Sequence, residues 1–321
     1  MLQLNDISLQ FAGDLLYKHV DLLFQPDHCY GIIGANGAGN SGGVIGEVGG
    51  TDVSIDKCVN YGKIVVYSAS NTLVNNVGGV IGNMSGGSEE RRTIVAECYN
   101  YGDISFIGNT GVVAGNVGNV NIQLRRCGNY GALAATAGNG RTGGVAGGSS
   151  GVIDECFNLG TVSCSPANGN NTGGIVGWVG GSAVVSNTYN KGTVTYTAAN
   201  SGTLVGNKSA AGSKIVNCYN AGRAQKDASG TALGTTGGAI NGGAKNNGTN
   251  VSGCYYLSGN GNDLGQNGTS PDDVSRVKAL SRAEMQAAAP SAEAFTDWDV
   301  SVWNFESGSY PTLKNNPEKP L

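Results

Sequence analysis

The pentad Gly42-Gly43-Val44-Ile45-Gly46 returns along most of this chain, roughly every thirty residues. It recurs as Gly78-Gly79-Val80-Ile81-Gly82, Gly143-Gly144-Val145-Ala146-Gly147 and Gly173-Gly174-Ile175-Val176-Gly177. Weaker copies are Gly111-Val112-Val113-Ala114-Gly115 and Gly202-Thr203-Leu204-Val205-Gly206. In phase with it runs a Cys-x-Asn-x-Gly turn. Its copies begin at Cys58, Cys98, Cys127, Cys156 and Cys218, with Thr188 once in place of the cysteine. A fixed period of this size means stacked units, none of which can bury its apolar face alone.

One unit runs from Thr172 to Val179, then from Ala183 to Thr195, as three short apolar or β-branched runs separated by glycine and asparagine turns. Each run is too short for a helix, and its Val/Ile/Thr content suits strands with one face turned inward. The expected fold is all-β, a parallel β-solenoid (β-helix) of about seven coils. The turn glycines Gly62, Gly102, Gly131, Gly160, Gly192 and Gly222 are separated by 40, 29, 29, 32 and 30 residues. The long first interval contains Ser88-Glu89-Glu90-Arg91-Arg92, which reads as a surface insertion. The 55 glycines are periodic rather than scattered, which argues against a flexible linker.

Two rows of repeat positions follow. Asn60, Asn100, Asn129, Asn158, Asn190 and Asn220 each precede a turn glycine by two residues. Asparagine tolerates left-handed backbone and glycine takes positive φ, so the pair reads as a turn. Stacked at strand spacing, the amides form a candidate hydrogen-bonded ladder. A row of ligand-binding asparagines is the competing reading. Cys58, Cys98, Cys127, Cys156 and Cys218, with Cys254 as a seventh-coil counterpart, read as inward-facing free thiols. Disulfides between coils are the alternative, and zinc is disfavoured because no Cys-x-x-Cys pair occurs. Cys29 and Cys164 lie outside the row.

The pentad followed by Cys-Tyr-Asn-x-Gly resembles the GLUG repeat over about residues 40–258, in about seven successive copies. The ending Trp303-Asn304-Phe305-Glu306-Ser307-Gly308-Ser309-Tyr310-Pro311-Thr312-Leu313 also looks like the segment that closes such arrays. That resemblance implies a bacterial surface protein: a stalk, spacer or adhesin-like module of the kind that also forms the non-catalytic part of some immunoglobulin A peptidases. It implies no catalytic residue. The partners it suggests are host or matrix glycans or proteins.

Residues 1–39 have another character. Leu2 to Phe11 and Tyr30-Gly31-Ile32-Ile33-Gly34-Ala35-Asn36-Gly37-Ala38-Gly39 are similar to the start of an ABC-F type ATPase, which leads into a phosphate-binding loop. That loop needs Gly-x-x-x-x-Gly-Lys-[Ser/Thr]. Gly34, Gly39 and Ser41 match, but Asn40 stands where the lysine belongs, and the chain then enters the first pentad instead of a helix. The remnant is expected to hydrolyse no nucleotide and to hold no cofactor. The leader reads as unrelated coding sequence joined to the coils, by recombination or by an error of assembly. A strand hairpin over the open end of the solenoid is its expected structure. Its first residues carry no signal-peptide pattern, so the surface location implied by the repeats conflicts with the leader.

From Gly259 the repeat fades, and residues 259–321 are expected to form a cap with a short helix after Ser281. Phe295, Trp298, Trp303, Phe305 and Tyr310 are expected to cover the end of the core, with sugar stacking as the alternative. Gly259-Asn260-Gly261-Asn262-Asp263-Leu264 is a single, weak match to a calcium-binding repeat. The only histidines, His19 and His28, lie in the leader, and the carboxylates are scattered. A non-catalytic module is therefore expected, with a carbohydrate-active β-helix protein as the alternative. The net charge of −4 gives no reason to expect nucleic acid, and no apolar run is long enough to span a membrane.

Overall fold

Short β-branched runs separated by close-approach glycines stack into a parallel β-solenoid with, among the described residues, one short helix, α1 (Arg282–Met285). The computed structural model describes residues 2–11, 14–24, 40–66, 74–137, 140–164, 171–197, 200–234, 237–243, 250–266 and 277–318. At the N-terminus, β1 (Leu2–Phe11) pairs antiparallel with β2 (Asp14–Phe24). The strand pairing expected in the leader is therefore present.

Each full coil contributes five strands rather than three. The coil from Asn171 reads Asn171–Gly173, Val176–Val179, Val184–Ser186, Tyr189–Asn190 and Val194–Thr195. The pentad, taken as part of one run, is a corner: its first glycine closes one strand, its second glycine and third residue make the bend, and its last two residues open the next. Equivalent strands join in parallel register from coil to coil, for example Val152↔Val184, Ile153↔Val185 and Asp154↔Ser186. Seven strands stack in the sheet that holds these residues. The surplus of the first interval is split. The stretch from Ile64 to Gly78 lies opposite Ile104 to Gly111, which is half as long. The remainder is the exposed turn at Glu89–Arg92.

The interior has two apolar lobes. The larger is built from the third and fourth pentad residues (Val80, Ile81, Val145, Ile175), the strand centres (Val95, Leu124, Ile153, Val185) and the cysteines. The smaller contains Ile104, Phe106, Leu133, Val162, Val194 and Tyr196. Between them runs the asparagine row. Asn60 Nδ2 donates to Asn100 Oδ1 at 2.7 Å, Asn100 to Asn129 at 3.1 Å and Asn129 to Asn158 at 2.6 Å. Asn158 donates to Asn190 at 2.7 Å, and Asn190 to Asn220 at 2.9 Å. The second hydrogen of each amide goes to the carbonyl of the turn glycine two residues on, as from Asn129 to Gly131 O at 2.9 Å. Every amide hydrogen from Asn60 to Asn190 thus has an acceptor inside a dry wall, which is what burial of such groups demands.

Steric contacts explain which pentad positions must be glycine. A Cβ on the first glycine would meet the carbonyl of the fourth residue, at 1.8 Å for Gly78 and 2.2 Å for Gly173. A Cβ on the last would meet the previous coil's carbonyl, at 2.3 Å for Gly115 and 2.5 Å for Gly147. Both positions are glycine in all six copies. The second glycine makes room for the amide row, since a Cβ on Gly79 would lie 2.4 Å from Asn100 Oδ1. Val112 occupies that position in its coil and packs into the smaller lobe instead.

The turn glycines do not serve positive φ. A Cβ on Gly160 would sit 2.0 Å from Gly131 O, one coil earlier, so their role is close stacking of backbones. Left-handed backbone falls instead just before the cysteine slot, at Lys57, Glu97, Arg126, Glu155, Asn187 and Asn217, with φ between 47° and 57°, and at Gly253. Gly160→Ala should lower stability by about 2 kcal/mol or more through overpacking. Asn129→Ala should cost at least ~2 kcal/mol by stranding a buried donor and acceptor. Lys57→Gly should raise stability by about 1 kcal/mol by relieving left-handed strain. Urea unfolding of the three variants checks all three signs.

Candidate functional surface

The residues singled out by the repeat are interior. Cys98, Cys127, Cys156, Cys218 and Cys254 are buried free thiols, and Cys58 and Cys164 likewise. Cys127 Sγ donates to Arg125 O at 3.3 Å and faces Val95 O of the preceding coil at 3.8 Å, and Cys156 repeats the pattern with Asp154 O and Leu124 O. Thr188 keeps the row continuous through its hydroxyl, 3.3 Å from Cys218 Sγ. Cys29 lies outside the described residues. Asn60, Asn100, Asn129, Asn158, Asn190 and Asn220 face neither solvent nor a cleft, so they offer no row to a ligand.

The phosphate-loop remnant is partly absorbed by the first coil. Ser41 begins the strand Ser41–Gly42, paired with Val77–Gly78, and Asn40 Oδ1 accepts from Asn76 Nδ2 at 2.9 Å. Gly34 and Gly39, and with them the rest of the loop, lie outside the described residues. Where a phosphate site needs a helix N-terminus, the chain after Ser41 runs as strand.

The C-terminal segment corrects a second expectation. Among the described residues, the chain extends past the last coil at Leu264–Gln266, against Ala239–Asn241, and at Val277–Leu280, paired with Cys254–Leu257. From Ser281 the chain folds back along the outer flank of the asparagine-bearing strands. There Tyr99, Phe157, Tyr189, Tyr219 and Tyr255 form an outward row, and Phe295, Trp298, Trp303 and Leu313 pack on it. The reason is local: these positions alternate with the inward asparagines, so the flank carries rings that need cover. Tyr219 donates to Pro311 O at 2.6 Å, Tyr189 to Glu318 Oε1 at 2.7 Å and Tyr99 to Asn316 Oδ1 at 2.7 Å. Phe157 tilts into the space left by Gly128. The buried tryptophans are thus no sugar platform. The glycine-asparagine stretch from Gly259 is also committed, with Asn260 donating to Ala221 O and Asn262 to Tyr196 Oη.

Outward positions on other faces remain available. Tyr61, Tyr101 and Tyr130 stack at 5.0 and 4.6 Å between centroids, with Tyr61 63% exposed. Glu97 pairs with Arg126 at 3.7 Å in a row whose signs alternate from Lys57 to Glu155. A third row consists of the residue that follows each pentad: Glu47, Asn83, Asn116, Gly148, Trp178 and Asn207. Asn116 Nδ2 donates to Asn83 Oδ1 at 3.0 Å, and Asn83 Nδ2 to Glu47 Oε1 at 3.2 Å. The guanidinium of Arg141 lies 3.8 Å from the Trp178 ring centroid, and burial lowers its pKa. Sequence reasoning missed this row, although its constant offset from the pentad was readable.

The fold defines a parallel β-solenoid repeat protein whose repeat residues are structural and whose variable residues form exposed rows. No protein-family model matches the chain. Near its N-terminus it is 51% identical over 41 residues to the uncharacterized ABC transporter ATP-binding protein YkpA of Bacillus subtilis (strain 168). That match takes in 13% of this chain and spans 8% of the relative's length. A solved structure of a putative immunoglobulin A1 protease from Bacteroides ovatus aligns with 80% of this chain and 74% of its own. The identity there is 16% and the TM-score 0.44. Among the described residues, no helix is long and apolar enough to cross a membrane.

The interior sets a pH response. Burial pushes the Cys127 and Cys254 thiols and the Tyr189 and Tyr219 hydroxyls well up. Their stabilising contribution is complete below the unfolded-state values and is lost as pH rises toward the folded ones, so stability should fall from about pH 8.5 upward. Lys208 acts oppositely. It occupies the inward slot that Val179 fills one coil earlier, its Nζ donates to Ala210 O at 2.9 Å, and burial lowers its pKa to about 8. Its charged form disfavours folding below that value. Lys208→Met should therefore be more stable than wild type at pH 7 by ~1–3 kcal/mol, with the gap closing toward pH 10.5. Thermal melts from pH 6 to 11 read both effects.

Proposed function

We propose that the chain is a non-catalytic bacterial cell-surface module of the GLUG-repeat kind, serving as an adhesin-like or stalk element. The observation that carries this reading is the unbroken amide row from Asn60 to Asn220, which makes a rigid rod and leaves the outward residues in fixed, evenly spaced rows. Such rows suit repeated weak contacts with host or matrix glycans or proteins. Surface location follows from the repeat type.

The outward carboxylates support binding over catalysis. Asp103 accepts from Ala132 N, Asp154 from Ser186 and Asn187, and Glu97 pairs with Arg126. General acid–base cleavage of a glycosidic bond uses two carboxyl groups flanking one bond, and these groups are engaged singly. Nucleotide hydrolysis by the leader is not part of this reading, because Asn40 replaces the lysine that would reach the phosphates. Two assays on the purified full chain test it together: retention on glycan- and matrix-coated surfaces, and release of reducing ends from the same glycans. Retention without release is the expected outcome. Release of reducing ends would replace the module with a carbohydrate-active enzyme.

A further inference from the structure

The seven-stranded sheet that holds Val152–Asp154 turns two rows of side chains outward. With coils counted from Cys58, the first row is Ser54, Ile94, Gln123, Val152, Val184 and Lys214, from the first coil to the sixth. The second, two residues further on, is Asp56, Ala96, Arg125, Asp154, Ser186 and Val216. Ile94 is 38% exposed, Asp56, Arg125 and Lys214 are exposed, and Val152, Val184 and Val216 are half-buried. The charged groups of this face lack partners on it. Arg125 stands in register with Asp154, yet Asp154 turns to the next coil, where its Oδ1 accepts from Ser186 Oγ at 2.7 Å and Asn187 Nδ2 at 3.0 Å. Among the described residues, the side chains of Asp56, Arg125 and Lys214 form no ion pair.

The order of these groups fits the same face of a second copy turned end for end. A two-fold axis along the strands, between the third and fourth coils, sets third against fourth, second against fifth and first against sixth, with each row opposite itself. Arg125 of each copy then faces Asp154 of the other, and the four groups alternate in sign around the axis. Ile94 faces Val184, Gln123 faces Val152 and Ala96 faces Ser186, side chains short enough for two sheets to approach to about 10 Å. Lys214 comes one row away from Asp56, within reach of its flexible stem. In the bend that follows, Arg126 falls opposite Glu155. The exposed Glu89–Arg92 turn of the second coil meets the fifth coil at Gly181, beside which there is open space. The two neighbouring registers fail: an axis on the fourth coil sets Asp154 against Asp154, and one on the third sets Arg125 against Arg125.

We infer that this face joins a second copy of the chain, with antiparallel solenoid axes and the two-fold axis between Arg125 and Asp154. The apolar side chains supply the contact area, and the charges select one register. The contact spans about 29 Å along the axis and about 12 Å along the strands, so the dimer is weak and salt-sensitive. This pairing goes beyond the adhesive reading and does not depend on it.

Sedimentation velocity of the full chain, from micromolar to near-millimolar concentration, tests the assignment. Wild type should pass from monomer to dimer with a midpoint of roughly 10–100 μM at low salt, and no further, because a two-fold contact closes. In about 0.5 M NaCl the midpoint should rise several-fold. Arg125→Asp and Asp154→Arg should each raise it at least tenfold by setting like charges around the axis. An equimolar mixture of those two variants should dimerise again, since both contacts across the axis regain opposite charges. Lys214→Glu, at an exposed position, should weaken dimerisation several-fold and serves if Asp154→Arg folds poorly. A chain that stays monomeric throughout, or a dimer that Arg125→Asp and Lys214→Glu leave unchanged, would overturn the assignment. Growth past the dimer, or dissociation by Tyr61→Ala alone, would overturn it as well. Any of these results leaves the adhesive reading standing, because retention on glycan- and matrix-coated surfaces is measured separately.

Discussion

Close approach between the backbones of successive coils is the constraint on which the rest of the structure depends. At Gly115, Gly147, Gly160 and Gly192 the preceding coil's carbonyl stands where a Cβ would be, 1.9 to 2.5 Å away. Only with those atoms absent do the five parallel ladders sit at hydrogen-bonding distance on every face at once. The asparagine row exploits the same approach. Its amides reach across the coil to the second pentad glycine and separate the two apolar lobes, so each coil has a polar wall in an otherwise dry interior. Removal of one amide therefore disturbs the coils on both sides, because each carbonyl accepts from one neighbour and each NH₂ donates to the other.

Burial without disulfides follows from the same geometry. Equivalent residues of adjacent coils are held side by side with parallel Cα–Cβ directions, whereas a disulfide needs its two Cβ atoms to converge. The thiols instead turn to the carbonyls two residues earlier, as at Cys98 and Cys218. A threonine is an acceptable replacement because a hydroxyl fills the same volume and finds the neighbouring sulfur. Outside the wall the constraint is electrostatic. The left-handed row alternates in sign at Lys57, Glu97, Arg126 and Glu155, and Glu97 meets Arg126 at 3.7 Å, so neighbouring coils in register bring no like charges together there.

The stacking, the coil number and the inward rows were legible in the sequence because each is written six or seven times at constant offset. The turn chemistry was not. Asn and Gly at Asn100 and Gly102 suggested left-handed backbone, yet the left-handed residue is Glu97, a type that sequence patterns do not associate with positive φ. Burial decided the matter, since the asparagine is needed for the amide row and the glycine for close stacking. The C-terminal aromatics were read as an end cap because they follow the last repeat. Their true partner is the alternating row of Tyr99, Tyr189 and Tyr219, which faces outward and is apolar. The Arg141–Trp178 face was hidden for a different reason: it departs from the repeat, and periodicity reveals only what recurs.

The folded-back C-terminal segment changes how such an array carries load. A solenoid whose coils touch only their neighbours would open one coil at a time when pulled at its ends. Here Asn316 holds Cys127 O, Glu155 O and Tyr99, while Trp298 holds Gly253 O at the other end of the flank. Tension on the last coil is thereby shared with coils far from it through a splint loaded in shear, and the rod yields as a block rather than peeling from its tip.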